Sequence, residues 1–185
     1  MSRNKYAGDY RLDRVLDEKG RVRSQTEYIG KHYRFAAPAG EAAAAAKRLI
    51  AAALIGWLLM LAILIPPTAV MHLPYFSVPT AFCVLPLFLI SETAIRALRA
   101  KEPFEHRLAD ALTSGLKTKT VVFLVLSSLA FAGYLAALIL RPTPFGPTDV
   151  LCGVCSALLI PCAVFTLVIG KRLAAVALED GREEP

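Results

Sequence analysis

The sequence predicts an all-α membrane protein. It has four transmembrane helices as two helical hairpins, a small cytoplasmic N-terminal β-hairpin, and a short amphipathic helix between helices 2 and 3. Three observations predict this. Hydrophobic residues make up 56% of the 185, against about 45–50% in soluble domains. Charge is concentrated at the start, where residues 1–48 hold 11 of the 21 Lys/Arg and 6 of the 15 Asp/Glu. Beyond that head, long apolar runs alternate with short connections, and every other connection is basic. The expected division is a polar, basic head over 1–44, a transmembrane domain over 45–175 and an acidic cytoplasmic tail over 176–185.

A helix needs about 20 apolar residues to cross the hydrocarbon core. Backbone groups must pair internally there, so runs of this length are helices. The spans are expected at about 45–65, 77–98, 120–140 and 150–172. The first contains LIAAALIGWLLMLAILI after an Ala-rich start, and alanine favours helix. The third, Thr120 to Leu140, is uncharged and holds twelve Leu, Ile, Val or Phe residues. Together these favour insertion by about 4 to 7 kcal/mol. The fourth is uncharged from Val150 to Gly170 and ends at the basic pair Lys171-Arg172.

The second span is the least sharply bounded, because Pro74, Pro79 and Pro86 interrupt it. Proline suits a first helical turn and breaks interior hydrogen bonds. The expected start is therefore Ser77 as N-cap, with Pro86 as a kink. Pro161 is the matching kink in the fourth span. This places Glu92 inside the cytoplasmic end of the helix, with Arg96 four residues on and able to pair with it.

Orientation follows from the loops. Residues 66–77 carry no Lys or Arg, whereas the connection between spans two and three carries Arg96, Arg99, Lys101, Arg107, Lys117 and Lys119. Lys and Arg collect on the cytoplasmic side, so both termini are expected in the cytoplasm of a cell-membrane protein. The halves also resemble each other. Pro86 is followed by Arg96, Leu98 and Ala100, and Pro161 by Lys171, Leu173 and Ala175, at equal spacings. Two parallel hairpins related by an axis along the membrane normal would produce this pattern.

In the head, Asp17-Glu18-Lys19-Gly20 is a turn signal flanked by partial period-two alternation, so a β-hairpin is expected over 10–28. A lone hairpin is marginal in water and needs a surface to lean on. In the middle connection, Phe104, Leu108, Leu112 and Leu116 recur every four residues, predicting an amphipathic helix over about 103–114 with Pro103 in its first turn. His106 falls on its polar side, and a lone histidine makes no metal site.

The sharpest chemical motif is Cys152-Gly-Val-Cys155 at the outer start of span four, with Cys162 one heptad on and Cys83 in span two. Such a pair at a helix start can cycle between dithiol and disulfide. Its placement resembles the four-helix, quinone-linked thiol oxidoreductases of the vitamin K epoxide reductase type, which implies redox roles for Cys152 and Cys155. That family also uses a second cysteine pair in an outer loop, and the outer loops here contain none. The packing interpretation is that Cys152, Gly153, Ser156 and Ala157 are small residues that let helices approach closely.

No phosphate loop, HExxH or paired intramembrane carboxylate is present in the sequence, and no cofactor or metal is expected. The net charge of +6 belongs to cytoplasmic loops, so nucleic acid is not an expected partner. The expected partners are the lipid bilayer and other membrane subunits, or further copies of the chain. The leading expectation is a non-catalytic subunit or accessory protein of a membrane complex. The alternatives are a thiol-disulfide oxidoreductase using Cys152/Cys155, and a homo-oligomeric channel or carrier with Glu92 as its polar site.

Overall fold

The computed structural model describes residues 7–16, 22–140 and 146–178. It is mostly helical, with four helices long and apolar enough to cross a membrane, and with two small sheets. The first helix, α1, spans Ala39–Leu64. It begins six residues ahead of the expected 45, because Pro38 stands just outside it and the alanine run Ala42–Ala46 needs no other support to be helical. Ala42, Ala45, Ala46, Leu49, Ala52 and Ala53 bury one face. The helix stops ahead of Pro66-Pro67, whose rings disfavour helix in the residue before them.

Helix α2 spans Pro74–Arg99, with Leu73 as N-cap, Pro74 at its first position, and Pro79 and Pro86 inside it. The expected start at Ser77 is corrected by one turn. Pro74 has no N–H to lose and its φ suits a first turn, so it opens the helix and does not precede it.

The expected amphipathic helix over 103–114 is not a separate element. Phe104–Glu105 form the short strand β4, and Pro103 follows a cis peptide bond ahead of the helix. Helix α3 then runs without a break from His106 to Leu140, including one π-helical turn at Ala111–Gly115. The reason is the apolar stripe itself. Leu112 and Leu116 are buried, and the stripe passes directly into Thr120, Phe123 and Ser127 of the same helix. Gly115 alone costs about 1 kcal/mol, too little to end a helix held by such packing. Helix α4 spans Pro147–Gly170, again with proline at its first turn. It starts three residues ahead of the expected 150 for the same reason as α2.

The helices pack in a ring: α1 on α2, α2 on α3, α3 on α4, and α4 on α1. The inner faces supply Met60, Ile63, Phe76, Leu87, Ile90, Phe123 and Leu159, all nearly inaccessible. The outer faces are apolar as well, with Phe82 60% and Phe88 57% exposed. Apolar residues all round a helix mark a membrane span or a buried core.

All five strands lie towards one end of this bundle. In the head, β1 (Tyr10–Leu16) pairs antiparallel with β2 (Val22–Tyr28) in the register Tyr10↔Tyr28 to Leu16↔Val22. The expected turn at Asp17–Gly20 lies outside the described residues. A second sheet has the order β4-β3-β5. Its centre is β3 (His32–Phe35), flanked antiparallel by β4 and by β5 (Ala175–Ala177). Residues 175–177 were expected as the end of the transmembrane domain and the start of an acidic tail. Instead Ala36 N–H donates to Ala174 O (2.8 Å) and Leu178 N–H to His32 O (2.9 Å), extending the pairing at both ends. The pairing partner, β3, is 140 residues away in sequence, so no local signal announces it.

Candidate functional site

The second sheet joins the head, the α2–α3 connection and the chain after α4 at one end of the bundle. Phe35 and Phe104 are buried against each other with ring centroids 4.9 Å apart. Glu102 accepts a hydrogen bond from Phe35 N–H at 3.0 Å. Ala175 N–H donates to the Thr113 hydroxyl at 3.3 Å, tying the last strand to the π turn of α3.

The base of the β-hairpin rests on the start of α3. Tyr10 donates its hydroxyl proton to Glu105 Oε2 at 2.6 Å. His106 N–H donates to the Tyr28 hydroxyl at 2.9 Å, and that hydroxyl donates to Lys31 O at 2.7 Å. The His106 ring stacks on Tyr33 (5.4 Å, 14°), with Nδ1 3.1 Å from Asp9 Oδ2 and Nε2 3.9 Å from Asp110 Oδ1. His106 therefore sits between two carboxylates instead of facing open solvent on a helix. Hydrogen bonding to the Glu105 carboxylate holds the Tyr10 phenol above its ordinary 10.0, since ionising it would place two anions together. Burial does the same for Tyr28, ahead of its other neighbours. Gly30 makes the bend between β2 and β3. A Cβ there would lie 2.6 Å from the Tyr28 hydroxyl and 2.9 Å from the Asp9 Cβ, so a side chain would pry this base apart.

Glu92 and Arg96 form an i,i+4 ion pair on α2, with the two side chains 40% and 50% exposed. The pair lies on the outside of the ring, where it does not line the centre of the bundle. Lys119 of α3 joins the same region. Its ammonium donates to Thr93 Oγ1 at 2.7 Å and approaches Leu89 O at 3.4 Å. Lys119 was expected in the connecting loop. The continuous α3 helix is what turns it into a cross-helix strut.

At the other end, Cys152 and Cys155 are free thiols with exposures of 1% and 5%, and Cys83 and Cys162 are also free. Thiol exchange needs an accessible thiolate, and both members of the pair face the core. Pro86 is buried in α2 and Pro161 is exposed on α4. Among the described residues, no group of three or more His, Cys, Asp or Glu is placed to hold a metal ion. The polar residue that organises this end is Asp149. It is 6% exposed and accepts hydrogen bonds from Val70 N–H (3.2 Å) and Gly146 N–H (3.1 Å). One carboxylate thus satisfies the start of α4 and pins the α1–α2 connection to it. The run Gly146-Pro147-Thr148-Asp149 carries the signal for the first of these roles: a proline opening a helix, with an acid two residues later. The second is a contact between loops 79 residues apart, and the sequence does not show it.

Comparison of the chain with protein-family profiles, with curated proteins and with solved structures finds no match. The class is therefore set by the fold and its surface alone: four apolar helices with one polar, strand-bearing end.

Proposed function

We propose that this chain is a multi-pass cell-membrane protein with both termini in the cytoplasm, serving as a non-catalytic subunit or accessory protein of a membrane complex. One observation carries the proposal. The three Lys/Arg-rich parts of the chain, separated in sequence by four helices of membrane-spanning length, converge on one end of the bundle and are sewn together there by β3, β4 and β5. A bundle that crosses the bilayer an even number of times and keeps its basic segments on one side has this arrangement. Helix α1 packs on α2, α3 on α4, and the β1–β2 head is seated on the start of α3, which supports reading two hairpins with a structured cytoplasmic face. Docking to partner subunits would use that face and the small-residue helix surfaces in the bilayer.

Detergent solubilisation, in-membrane crosslinking and identification of co-purifying proteins test the role. A strictly monomeric particle without companions refutes it. Cysteine-labelling reporters placed after Leu178 and in residues 66–73 should report opposite sides of the membrane, and labelling from the same side refutes the topology.

A further inference from the structure

At the strand-bearing end, a groove of about 420 Å³ opens between α3 and α4. Its lining is mostly apolar, with Leu116 and Leu167, and its polar groups are Lys117, Lys171, Thr113 and two further threonines. No acidic side chain lines it. Neither lysine makes an ion pair among the described residues. Among the described residues, two cations therefore border one mostly apolar cleft with no acid on its lining. Snorkelling alone would send each ammonium outward to water, and it does not require an apolar cleft between the pair. The π turn Ala111–Gly115 lies at the same place and contributes Thr113 to the lining. Such turns, rare in helices, concentrate at functional sites. Gly170 lets Leu116 settle closely against α4, because a Cβ there would press on Leu116 Cδ2 at 3.2 Å.

We infer that this groove seats one anionic phospholipid of the cytoplasmic leaflet, with its phosphate between Lys117 and Lys171 and the upper part of an acyl chain along Leu116 and Leu167. Charge complementarity selects the occupant. Basic pockets between helices on the cytoplasmic side recognise anionic headgroups, and apolar walls exclude a free hydrated phosphate. The volume lies within the range of small-molecule sites. The inference rests on the membrane placement proposed above.

The test is native mass spectrometry of the full-length protein in neutral detergent, titrated with phosphatidylglycerol, phosphatidylcholine or inorganic phosphate. Phosphatidylglycerol is expected to bind in preference to phosphatidylcholine. Each lysine near the surface contributes about fivefold, so K117Q/K171Q should weaken phosphatidylglycerol binding about 30-fold. K117R/K171R, which keeps both charges, should retain it, and so should the charge-matched control K47Q/K101Q. Leu167→Trp, which fills the groove and leaves both cations, should also lose it. Equal binding of the two lipids by the unmodified protein overturns the inference. So does equal loss in the charge-matched control, or inorganic phosphate binding as well as the lipid. Alkaline extraction separates the two failures. A chain released from membranes refutes the membrane placement. A chain that stays in the bilayer without lipid preference refutes only the groove.

Discussion

Gly133 is the position where one added carbon should do most damage. Pro79 has no N–H, so the Tyr75 carbonyl one turn earlier in α2 lacks its usual helical partner. That carbonyl faces α3, and a Cβ on Gly133 would collide with it, while lying 2.9 Å from the Tyr75 carbonyl carbon and 3.2 Å from Phe76 Cα. These are backbone atoms of α2 and cannot rotate away, so α2 and α3 must separate locally. Overpacking of this kind costs about 1–3 kcal/mol. The edge-on Phe76–Tyr134 pair, with centroids 6.3 Å apart, would loosen as well, at about 0.5–1.5 kcal/mol. Alanine's better helix propensity returns up to about 1 kcal/mol. Gly133→Ala should therefore lose about 1–3 kcal/mol net, a fall in Tm of about 2–12 °C at roughly 2–4 °C per kcal/mol for a chain of this size. The measurement is thermal unfolding in detergent by far-ultraviolet circular dichroism. Gly40→Ala is the matched control, since nothing lies within 4 Å of a Cβ there, and it should be neutral or slightly stabilising. If the two variants melt alike, the close crossing of α2 and α3 at Gly133 is wrong.

Asp149→Ala removes the acceptor of two backbone hydrogen bonds in a buried setting. At about 1.5–3 kcal/mol for each bond to a charged acceptor, discounted for water entry, the expected loss is about 2–4 kcal/mol. An unchanged Tm would show that the carboxylate does not pin the two connections. The phenols of Tyr10 and Tyr28 are held above 10.0 in the folded chain. A raised folded value means that their contribution is complete below pH 10 and lost as pH rises through the folded value. Ultraviolet titration near 295 nm should show late-ionising tyrosines in the native protein that Tyr10→Phe reduces in number. Equal titration before and after unfolding would contradict the contacts at the hairpin base. Cys83, Cys152 and Cys155 are buried and free, so a maleimide should label them only after denaturation. A native Cys152–Cys155 disulfide would instead revive the redox alternative.

The four-helix class is legible because it depends on run length and apolarity, and an uninterrupted apolar run of this length can satisfy its own backbone only as a helix. Helix starts are less legible where a proline reads equally as a break and as a first-turn residue. Pro74 and Pro147 both open their helices, since a first-turn N–H has no helical partner to lose. The apolar stripe through Leu108, Leu112 and Leu116 was visible, but periodicity does not say whether a helix ends before the next one begins. The β4-β3-β5 sheet was illegible for a different reason. Its strands have two to four residues and are paired across most of the chain. The candidate site divides in the same way. Glu92 and Arg96 pair as their spacing predicts, because i,i+4 contacts are local. Lys119 on Thr93, Asp149 on Val70 and His106 between Asp9 and Asp110 depend on which helix faces which loop.

The ring order bears on the similarity between the halves. With α1 beside α2 and α4, and α3 beside the same two, α1 stands opposite α3 and α2 opposite α4. A two-fold axis relating α1–α2 to α3–α4 requires this arrangement. The equivalent stretches after Pro86 and Pro161 also lead into strands on opposite edges of β3. The two seams between the halves are nevertheless chemically different. On the α2–α3 seam Lys119 reaches into α2 beside the Glu92–Arg96 pair, so one carboxylate stands among two cations there. On the α4–α1 seam Arg48 and Arg172 border a cavity of about 100 Å³ that no acid lines, and the cross-helix polar contact there is Cys162 Sγ–H to Ala52 O at 3.3 Å. A symmetric bundle would offer a partner the same surface twice. This one offers a seam whose two cations share an acid and a seam whose two arginines have none on the cavity lining, so an anionic partner in the bilayer would favour the second. The α4 end supplies the cations on both of its flanks, Lys171 towards α3 and Arg172 towards α1. Substitutions at these two residues should therefore weaken binding of the proposed anionic partner while leaving the helical packing intact.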